Sequence, residues 1–322
     1  MSMLKLYVLI CGLIPGLVFP QAYPTKPVTM VIPFAAGGPT DTLGRNLALA
    51  WGRQLKQTVI VENLSSAGGI VAVARVAHAS PDGYQLLLHH IGMSTAPALY
   101  RKLDFDPLTD FEYIGLVADV PMTLVARSNF PAANLKEFLA YIKANNTKVT
   151  LANAGVGAAS HLCGLLFMSA IQTDFLTVPY KGTAPAMNDL LGGQVDFMCD
   201  QTTNTTGQIK AGKVKVYGVT TAKRIAALPD VPTLDEQGMK GFTVGVWHGA
   251  YAPKKTPPAV QERLVTTMQA ALQDPDFIKI LAQLGTEPVP QNQATPAALQ
   301  SLLKSEIAKW APVIKKAGVY AD

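Results

Sequence analysis

Two glycine-containing turns each follow a buried strand pattern and precede a helical pattern. The first turn lies in "PFAAGGPTD" and holds Gly37 and Gly38, and the second lies in "ANAGVGAASHL" and holds Gly155, Gly157 and Ser160. Glycine allows a ligand to approach the backbone N–H groups, and the following helix N-terminus carries partial positive charge. One such turn is more often a tight connection, but two of them favour a ligand with acidic groups bound without Lys or Arg.

The second turn superficially matches the dinucleotide-binding fingerprint. Ser160 stands where the third glycine belongs, and the next strand closes with Tyr180 and Lys181 instead of an acidic residue. That acidic residue would hold the ribose of a dinucleotide. The sequence therefore predicts no nucleotide and no other cofactor.

Two further strand ends carry polar side chains. His89 and His90 end one apolar run, with Ser94 close behind, and these groups could hydrogen-bond a distal polar group of a ligand. A buried structural histidine is the ordinary alternative. Residues 200–202 follow another strand, where they could face a cleft or cap the next helix. The sequence leaves both roles open.

Ser160 next to His161 suggests a hydrolase. Adjacent residues on a helix do not face each other, so this pair cannot act as nucleophile and base. The chain has no G-x-S-x-G elbow, and its five histidines show no metal-ligand spacing. We therefore predict a binding protein without catalysis or metal, and a small-molecule hydrolase is the less favoured alternative.

The N-terminal 22 residues resemble a secretory signal peptide. Residues 6–20 form an apolar run that begins after Lys5, contains Pro15 and is too short to span a membrane. We predict cleavage after Ala22 and export to the periplasm. Without this leader the chain has 26 basic and 22 acidic residues, because Lys5 is one of the 27 Lys and Arg. The basic residues are scattered, which does not support nucleic-acid binding.

The apolar runs and helical stripes alternate along the chain. Short, nearly continuous apolar runs at 28–34, 58–63, 84–90, 148–154, 175–180, 195–200 and 214–221 are typical of strands buried on both faces. Amphipathic segments separate most of them, the first beginning near Asp41. Two series of βαβ units predict two doubly wound sheets. Extended segments near 121–127 and 243–250 connect the halves, and helices at 257–274, 276–285 and 295–316 should pack back onto an existing sheet.

Cys163 and Cys199 follow the leader, and their spacing fits no metal site. In an oxidising compartment they could form a disulfide, but the sequence favours two buried thiols at least as strongly.

A series of short motifs then runs in order along nearly the whole mature chain. They are "PFAAGGPTD", "VEN…AGG", "PDGY", "PALY…DP…DF", "GVGAASHL", "VPYKG", "DLLGGQVD", "LPDVPTLDEQG" and "WHGAYAP". In this order they resemble the Bug-type extracytoplasmic solute receptors, the binding components of tripartite tricarboxylate transporters. The resemblance implies an α/β periplasmic binding protein of the type II-like Venus-flytrap form, with two doubly wound domains joined by two extended crossings.

The resemblance also implies a division of the chain and a function. Residues 1–22 would be the signal peptide, 23–121 and 245–322 a discontinuous first domain, and 122–244 the second domain. The protein would be a monomer that captures a small carboxylate for membrane permease subunits. A sensory receptor that reports carboxylate occupancy to a membrane sensor kinase is the alternative.

The candidate ligand-binding residues come from the two turns and the two polar strand ends. They are Phe34, Ala35, Ala36, Gly37, Gly38, Thr40, Asp41, His90, Ser94, Gly155, Val156, Gly157, Ala158, Ser160, Asp200, Gln201 and Thr202. The segment 89–94 differs from the small polar loop of most family members. Its His and Ser favour a ring-containing dicarboxylate, such as terephthalate, over a citrate-type ligand.

Overall fold

The structure is a computed structural model that describes residues 23–65, 67–318 and 320–321 of the 322-residue chain. The predicted signal peptide lies outside the described residues. The strands are β1 (Val28–Ile32), β2 (Val59–Asn63), β3 (Gln85–His90), β4 (Phe111–Arg127), β5 (Thr150–Asn153), β6 (Leu176–Pro179), β7 (Phe197–Gln201), β8 (Val214–Val219) and β9 (Gly245–Pro253). The helices are α1 (Pro39–Leu55), α2 (Ile70–Ala77), α3 (Gly92–Leu99), α4 (Leu135–Ala144), α5 (Ala159–Ile171), α6 (Thr183–Leu191), α7 (Thr202–Lys210), α8 (Pro258–Ala271), α9 (Pro275–Gln283) and α10 (Pro296–Ala317).

The strands form two groups that a single long strand connects. Their order is β2-β1-β3-β9-β4-β7-β5-β6, and β8 pairs with β4 outside this path. Strand β1 is parallel to β2 and β3, and β5 is parallel to β6 and β7. Strand β4 pairs antiparallel with β9 as far as Pro121, and from Met122 it pairs with β7 and β8 instead. Both groups are therefore mixed sheets, and β4 belongs to each.

Helices cover the faces of the sheets because their apolar stripes must be buried. On α1, which the sequence predicts from about Asp41, the apolar stripe of Leu43, Leu47, Trp51 and Leu55 is buried throughout. The indole Nε1 of Trp51 donates to Thr267 Oγ1 on α8 at 2.9 Å, and α10 packs against β4 and α3. The prediction that the terminal helices pack back onto the existing sheets is confirmed. Within the described residues, no helix is both long and apolar enough to cross a bilayer.

The predicted mixed α/β fold class of a periplasmic binding protein is confirmed, but several elements were not predicted. The extended segments near 121–127 and 243–250 belong to strands β4 and β9, and the two sheets are joined through β4. The first half of β4, together with α3 and α4, was missed. A signal for α4 was present, because the Asn134 side chain accepts a hydrogen bond from the backbone N–H of Glu137 in a capping box.

Cys163 and Cys199 form a disulfide, with their Cα atoms 6.0 Å apart. The sequence left open whether these residues form a disulfide or remain two thiols, and the structure contains the disulfide. The bond ties α5, which follows the second glycine turn, to β7, which ends in Asp200 and Gln201. Two strand-to-helix junctions are thereby held at a fixed distance.

Candidate functional site

A small cavity lies where the two glycine turns meet beyond the ends of the strands. Its volume of about 10 Å³ leaves room for roughly one water molecule. The walls are already in contact, so a dicarboxylate can enter only when they separate. The residues that line the cavity are Phe34, Gly38, Pro39, Thr40, His90, Ala154, Ala158, Ala159, Ser160, Thr183 and Gln201.

The N-terminal ends of four helices line this cavity. Thr40 comes from the first turn of α1, Ser160 from the first turn of α5, Thr183 is the first residue of α6 and Gln201 is the N-cap of α7. Each end has N–H groups without intrahelical partners and carries partial positive charge. Among the residues that the structure describes, neither Lys nor Arg lines the cavity. The site can therefore hold an anion by backbone groups alone.

The two glycines of the first turn, Gly37 and Gly38, have different structural roles. Gly37 has a φ of +78°, which favours glycine, and its N–H donates to Asp41 Oδ2 at 2.8 Å. Gly38 has an ordinary φ, but a Cβ there would lie 3.5 Å from the Thr183 hydroxyl across the cavity and 3.3 Å from Ala35 O. Gly37 thus makes the turn, and Gly38 allows the opposite wall to come close.

Asp41 holds the first turn in shape. Its carboxylate accepts hydrogen bonds from Arg45 Nε and Asn63 Nδ2, both at 2.9 Å, as well as from Gly37. Burial raises the pKa of Asp41, but the hydrogen bonds and the Arg45 charge together lower it below its ordinary value. The Asp41 carboxylate therefore bonds only within the turn and its surroundings. The backbone N–H groups of Thr40 and Asp41 have no partner among the described residues, so they are available to a ligand.

The second turn repeats this arrangement. The N–H groups of Gly155 and Gly157 donate to Asn153 Oδ1 at 2.9 Å and to His161 Nδ1 at 3.2 Å. Ser160 Oγ accepts the N–H of Ala154 at 2.8 Å, so its hydroxyl hydrogen is free to donate. The backbone N–H groups of residues 159 and 160 have no partner in the described part of the chain. Ser160 and His161 bond to different backbone amides and not to each other.

Three neutral histidines lie behind the first turn. His90 stacks on Phe34 with ring centroids 4.4 Å apart, and its Nδ1 accepts the Gly92 N–H at 3.0 Å. Its Nε2 therefore carries the hydrogen and can donate. Burial lowers the pKa of His90, and it lowers the pKa of His89 and His248 to about 3. His248 Nδ1 lies 2.9 Å from Val246 O, and its Nε2 lies 3.2 Å from Thr40 Oγ1. In the tautomer with Nδ1–H, Thr40 donates to His248.

Asp200 is a buried acid behind the α7 side of the cavity. Its Oδ2 accepts from Asn204 Nδ2 at 2.5 Å, whereas Oδ1 has no partner in the described chain. Burial raises the pKa of Asp200 to about 7, although hydrogen bonding opposes this rise. The side-chain oxygens of Thr183, Gln201 and Thr203 are also buried without a partner among the described residues.

Some of the sequence-predicted residues line the cavity and others support it. Those in the wall are Phe34, Gly38, Thr40, His90, Ala158, Ser160 and Gln201, whereas Ala35, Ala36, Gly37, Asp41, Ser94, Gly155, Val156, Gly157, Asp200 and Thr202 lie outside it. Ser94 donates to Ile91 O at 2.7 Å inside α3, and Thr202 donates to Gly285 O at 3.1 Å, so these hydroxyls point to other partners. The Gln201 side chain does not cap α7.

Sequence reasoning missed four residues of the wall, namely Pro39, Ala154, Ala159 and Thr183. The first three lie inside or next to the predicted turns. Thr183 had its own signal, because "VPYKGTAPA" is a third strand followed by a glycine and a helix. That segment repeats the pattern of the two turns that were recognised.

A larger cavity of about 890 Å³ lies elsewhere, between α10, α5 and the segment 238–245. Its walls carry side chains of both charges, among them Asp119, Lys143, Glu306 and Lys309. Such a mixed lining has no clear preference for anions. In the described residues, no group of three or more His, Cys, Asp or Glu side chains could hold a metal ion.

Comparison with known proteins places this geometry in a family. A sequence profile described as the tripartite tricarboxylate transporter family receptor matches residues 43–319. The structure of the periplasmic binding protein BugD is 57% identical with a TM-score of 0.90, covering 92% of this chain and 99% of that one.

Two further solved structures are similar and contain carboxylates. MatC from Rhodopseudomonas palustris with bound malate is 39% identical with a TM-score of 0.87, covering 91% of this chain and 100% of that one. R. palustris Rpa4515 with adipate is 31% identical with a TM-score of 0.87, covering 92% of this chain and 99% of that one.

Proposed function

Because this chain belongs to the tripartite tricarboxylate transporter receptor family, we propose that it captures a small dicarboxylate in the periplasm. It then delivers this ligand to membrane permease subunits. It is a solute-binding receptor of the kind its relatives represent. We further propose that it acts as a monomer after removal of residues 1–22.

One observation carries this proposal: four helix N-termini meet at a cavity that neither Lys nor Arg lines. The donors aimed at the cavity are backbone N–H groups of α1 and α5, the Ser160 hydroxyl and the Nε2–H of His90. Charge-assisted hydrogen bonds of this kind are stronger than neutral ones in a water-poor cleft. This set of donors suits a carboxylate.

The two carboxylate-bound neighbours support a dicarboxylate ligand. MatC holds malate and Rpa4515 holds adipate, two aliphatic chains of different length. The ring-containing candidate, terephthalate, rests on the segment 89–94, and the stacked rings of His90 and Phe34 both line the cavity. An aromatic ligand would have to displace His90 from Phe34 or stack on the pair.

We propose that the two domains, residues 23–121 with 245–322 and residues 122–244, separate to admit the ligand. The boundary at 121/122 is supported by the change of partners within β4, from β9 to β7 and β8. Thr95 Oγ1, which also lies 3.2 Å from Gly92 O in its own helix, donates to Gly157 O at 3.3 Å across the proposed domain boundary. Opening of the cleft would break this bond, and closure on the ligand would restore it.

Isothermal titration calorimetry with malate, adipate, terephthalate and citrate tests the proposal. The diamide of adipate, which has the same length without charge, is the matched control. We expect at least one dicarboxylate to bind in the micromolar range or tighter and the diamide not to bind. Binding of sugars or cationic amino acids instead, with no response to any dicarboxylate, would contradict the proposed function.

A further inference from the structure

Four buried polar atoms without a partner lie on or next to one wall of the cavity. They are Thr183 Oγ1, Asp200 Oδ1, Gln201 Oε1 and Thr203 Oγ1, out of seven such atoms in the part of the chain that the structure describes. A buried polar group without a hydrogen-bond partner destabilises the folded state. Because four such atoms lie beside one cavity, we infer that they form their hydrogen bonds only when a ligand or water occupies the cavity.

Within this group, the Thr183 hydroxyl lies near the Asp200 carboxyl group. Asn204 Nδ2 donates to one oxygen of Asp200, and the other oxygen has no hydrogen-bond partner among the described residues. The backbone N–H of Gln201 and the Thr183 hydroxyl lie close enough to lower the pKa of Asp200, although neither reaches hydrogen-bond geometry with its Oδ1. Thr183 lines the cavity and Asp200 does not. Thr183 therefore stands between the acid and the ligand space.

The protonation state of Asp200 decides what Thr183 offers to a ligand. A charged carboxylate only accepts hydrogen bonds, so it takes the Thr183 hydrogen and leaves oxygen lone pairs facing the cavity. An uncharged carboxyl can donate to Thr183 Oγ1, and the Thr183 hydrogen then points into the cavity. Only the second arrangement is favourable for an anionic ligand.

No cationic side chain bonds to Asp200 in the described structure. On β4 its neighbour is Thr123, whose hydroxyl donates to Asp200 O at 3.2 Å. The charged residue of α6, Asp189, accepts from the Tyr180 hydroxyl, and the charged residue of α7, Lys210, lies at the far end of that helix.

The ionisable groups on the other walls do not compensate the Asp200 charge either. His90 and His248 have a lowered pKa because they are buried, and burial lowers the pKa of His161 on α5 to about 4. Asp41 is paired with Arg45. Burial is thus the dominant influence on Asp200 and favours its uncharged form.

We propose that Asp200 is a positioning residue that makes ligand capture proton-linked: when uncharged, it donates to the Thr183 hydroxyl, which in turn donates to a ligand carboxylate. This inference rests on the proposed function, because it requires an anion between the helix ends. The proton that Asp200 holds in the complex comes from solvent, so binding above neutral pH takes up a proton.

Calorimetry with adipate and malate between pH 6.5 and 9 tests this linkage, because both ligands are ionised throughout this range. If only the uncharged form binds, the dissociation constant rises about 50-fold between pH 7 and pH 9 for a group that titrates near 7. Titrations at pH 8 in buffers of different ionisation enthalpy should show an uptake that approaches one proton per ligand.

Four variants separate this role from a structural one. Asp200→Asn cannot ionise but can still donate, so we expect it to bind with the affinity of the parent at pH 6.5 and to lose the pH dependence. Thr183→Val should also lose the pH dependence and bind more weakly at pH 6.5, whereas Thr183→Ser should behave like the parent. Asp189→Asn, which changes another carboxylate near the same wall, should keep the full pH dependence.

A pH-independent affinity of the parent, without proton uptake, would overturn the inference and leave the proposed function intact. A folded Asp200→Asn variant that loses binding at every pH would also overturn it, because Asp200 would then be a charged acceptor for a donor group on the ligand. Failure of the parent to bind any dicarboxylate would remove the proposed function itself. If Asp200→Asn does not fold, the parent profile and the two Thr183 variants decide the question.

Discussion

Replacing Ala159 with proline removes one ligand-facing amide while preserving the helix. Ala159 is the first residue of α5, where the N–H has no intrahelical partner and proline is well tolerated. The preceding Ala158 already has the extended conformation that proline requires, with ψ 159°. The first helix of the same chain begins with Pro39 at the equivalent position. We therefore expect the Ala159→Pro variant to fold.

The expected loss follows from the kind of hydrogen bond removed. A bond from an amide to a charged group contributes about 1.5–3 kcal/mol, which corresponds to a dissociation constant raised roughly 10- to 150-fold. Titration calorimetry with the dicarboxylate that binds the parent measures it, and circular dichroism and urea unfolding confirm the fold.

Ala159→Val is the matched control, because valine has nearly the volume of proline and keeps the N–H. We expect the valine variant to lose less affinity than the proline variant, because both add a similar side-chain volume and only proline removes the N–H. If the proline variant binds as tightly as the parent, the amide of residue 159 does not hold the ligand. If the valine variant loses as much affinity as the proline variant, the loss is steric and the reasoning fails.

Three further predictions concern stability and motion. Replacing both Cys163 and Cys199 with Ala should lower the free energy of unfolding by about 4 kcal/mol in urea, since the bond closes a loop with a sequence separation of 36; a loss below 1 kcal/mol would contradict this. Because the pKa of Asp200 is raised to about 7, the folded state keeps a proton that the unfolded state releases, and the parent loses stability as the pH rises from 4 to 7. The free energy of unfolding of Asp200→Asn should therefore rise relative to that of the parent across this pH range, by up to about 4 kcal/mol. A difference between variant and parent that is the same at pH 4 and pH 8 would refute this prediction. Small-angle scattering should show a smaller radius of gyration with ligand, as the domains close about residues 121–127 and 243–250; an identical profile at saturation would indicate a rigid receptor.

Much of the fold could be predicted because buried parallel strands leave a clear pattern of short apolar runs. The strand from Val28 and the helix stripe from Leu43 to Leu55 follow that pattern closely. The change of partners within β4 could not be predicted, because apolar residues predominate along Phe111–Arg127 on both sides of the change. Periodicity describes which faces of a strand are buried and does not identify its neighbours.

The site was predictable at the level of turns but not of individual atoms. The sequence located both glycine turns, but it could not show that the N–H groups of Gly37 and Gly157 are bonded within the turns. This bonding depends on positive φ values and on side chains four residues further along the chain. The approach of Thr183 to Gly38 joins residues about 145 positions apart, which a local pattern cannot reveal.

A crystal structure grown with malate, or with whichever dicarboxylate binds most tightly, tests most directly whether helix N-termini hold the ligand. We expect a carboxylate to lie within about 3.2 Å of backbone N–H groups at residues 40–41 and 159–160, with the Ser160 and Thr183 hydroxyls donating to the ligand and neither Lys nor Arg in contact with it. A carboxylate bound instead by a lysine or arginine side chain, or located in the larger cavity beside α10, would contradict this.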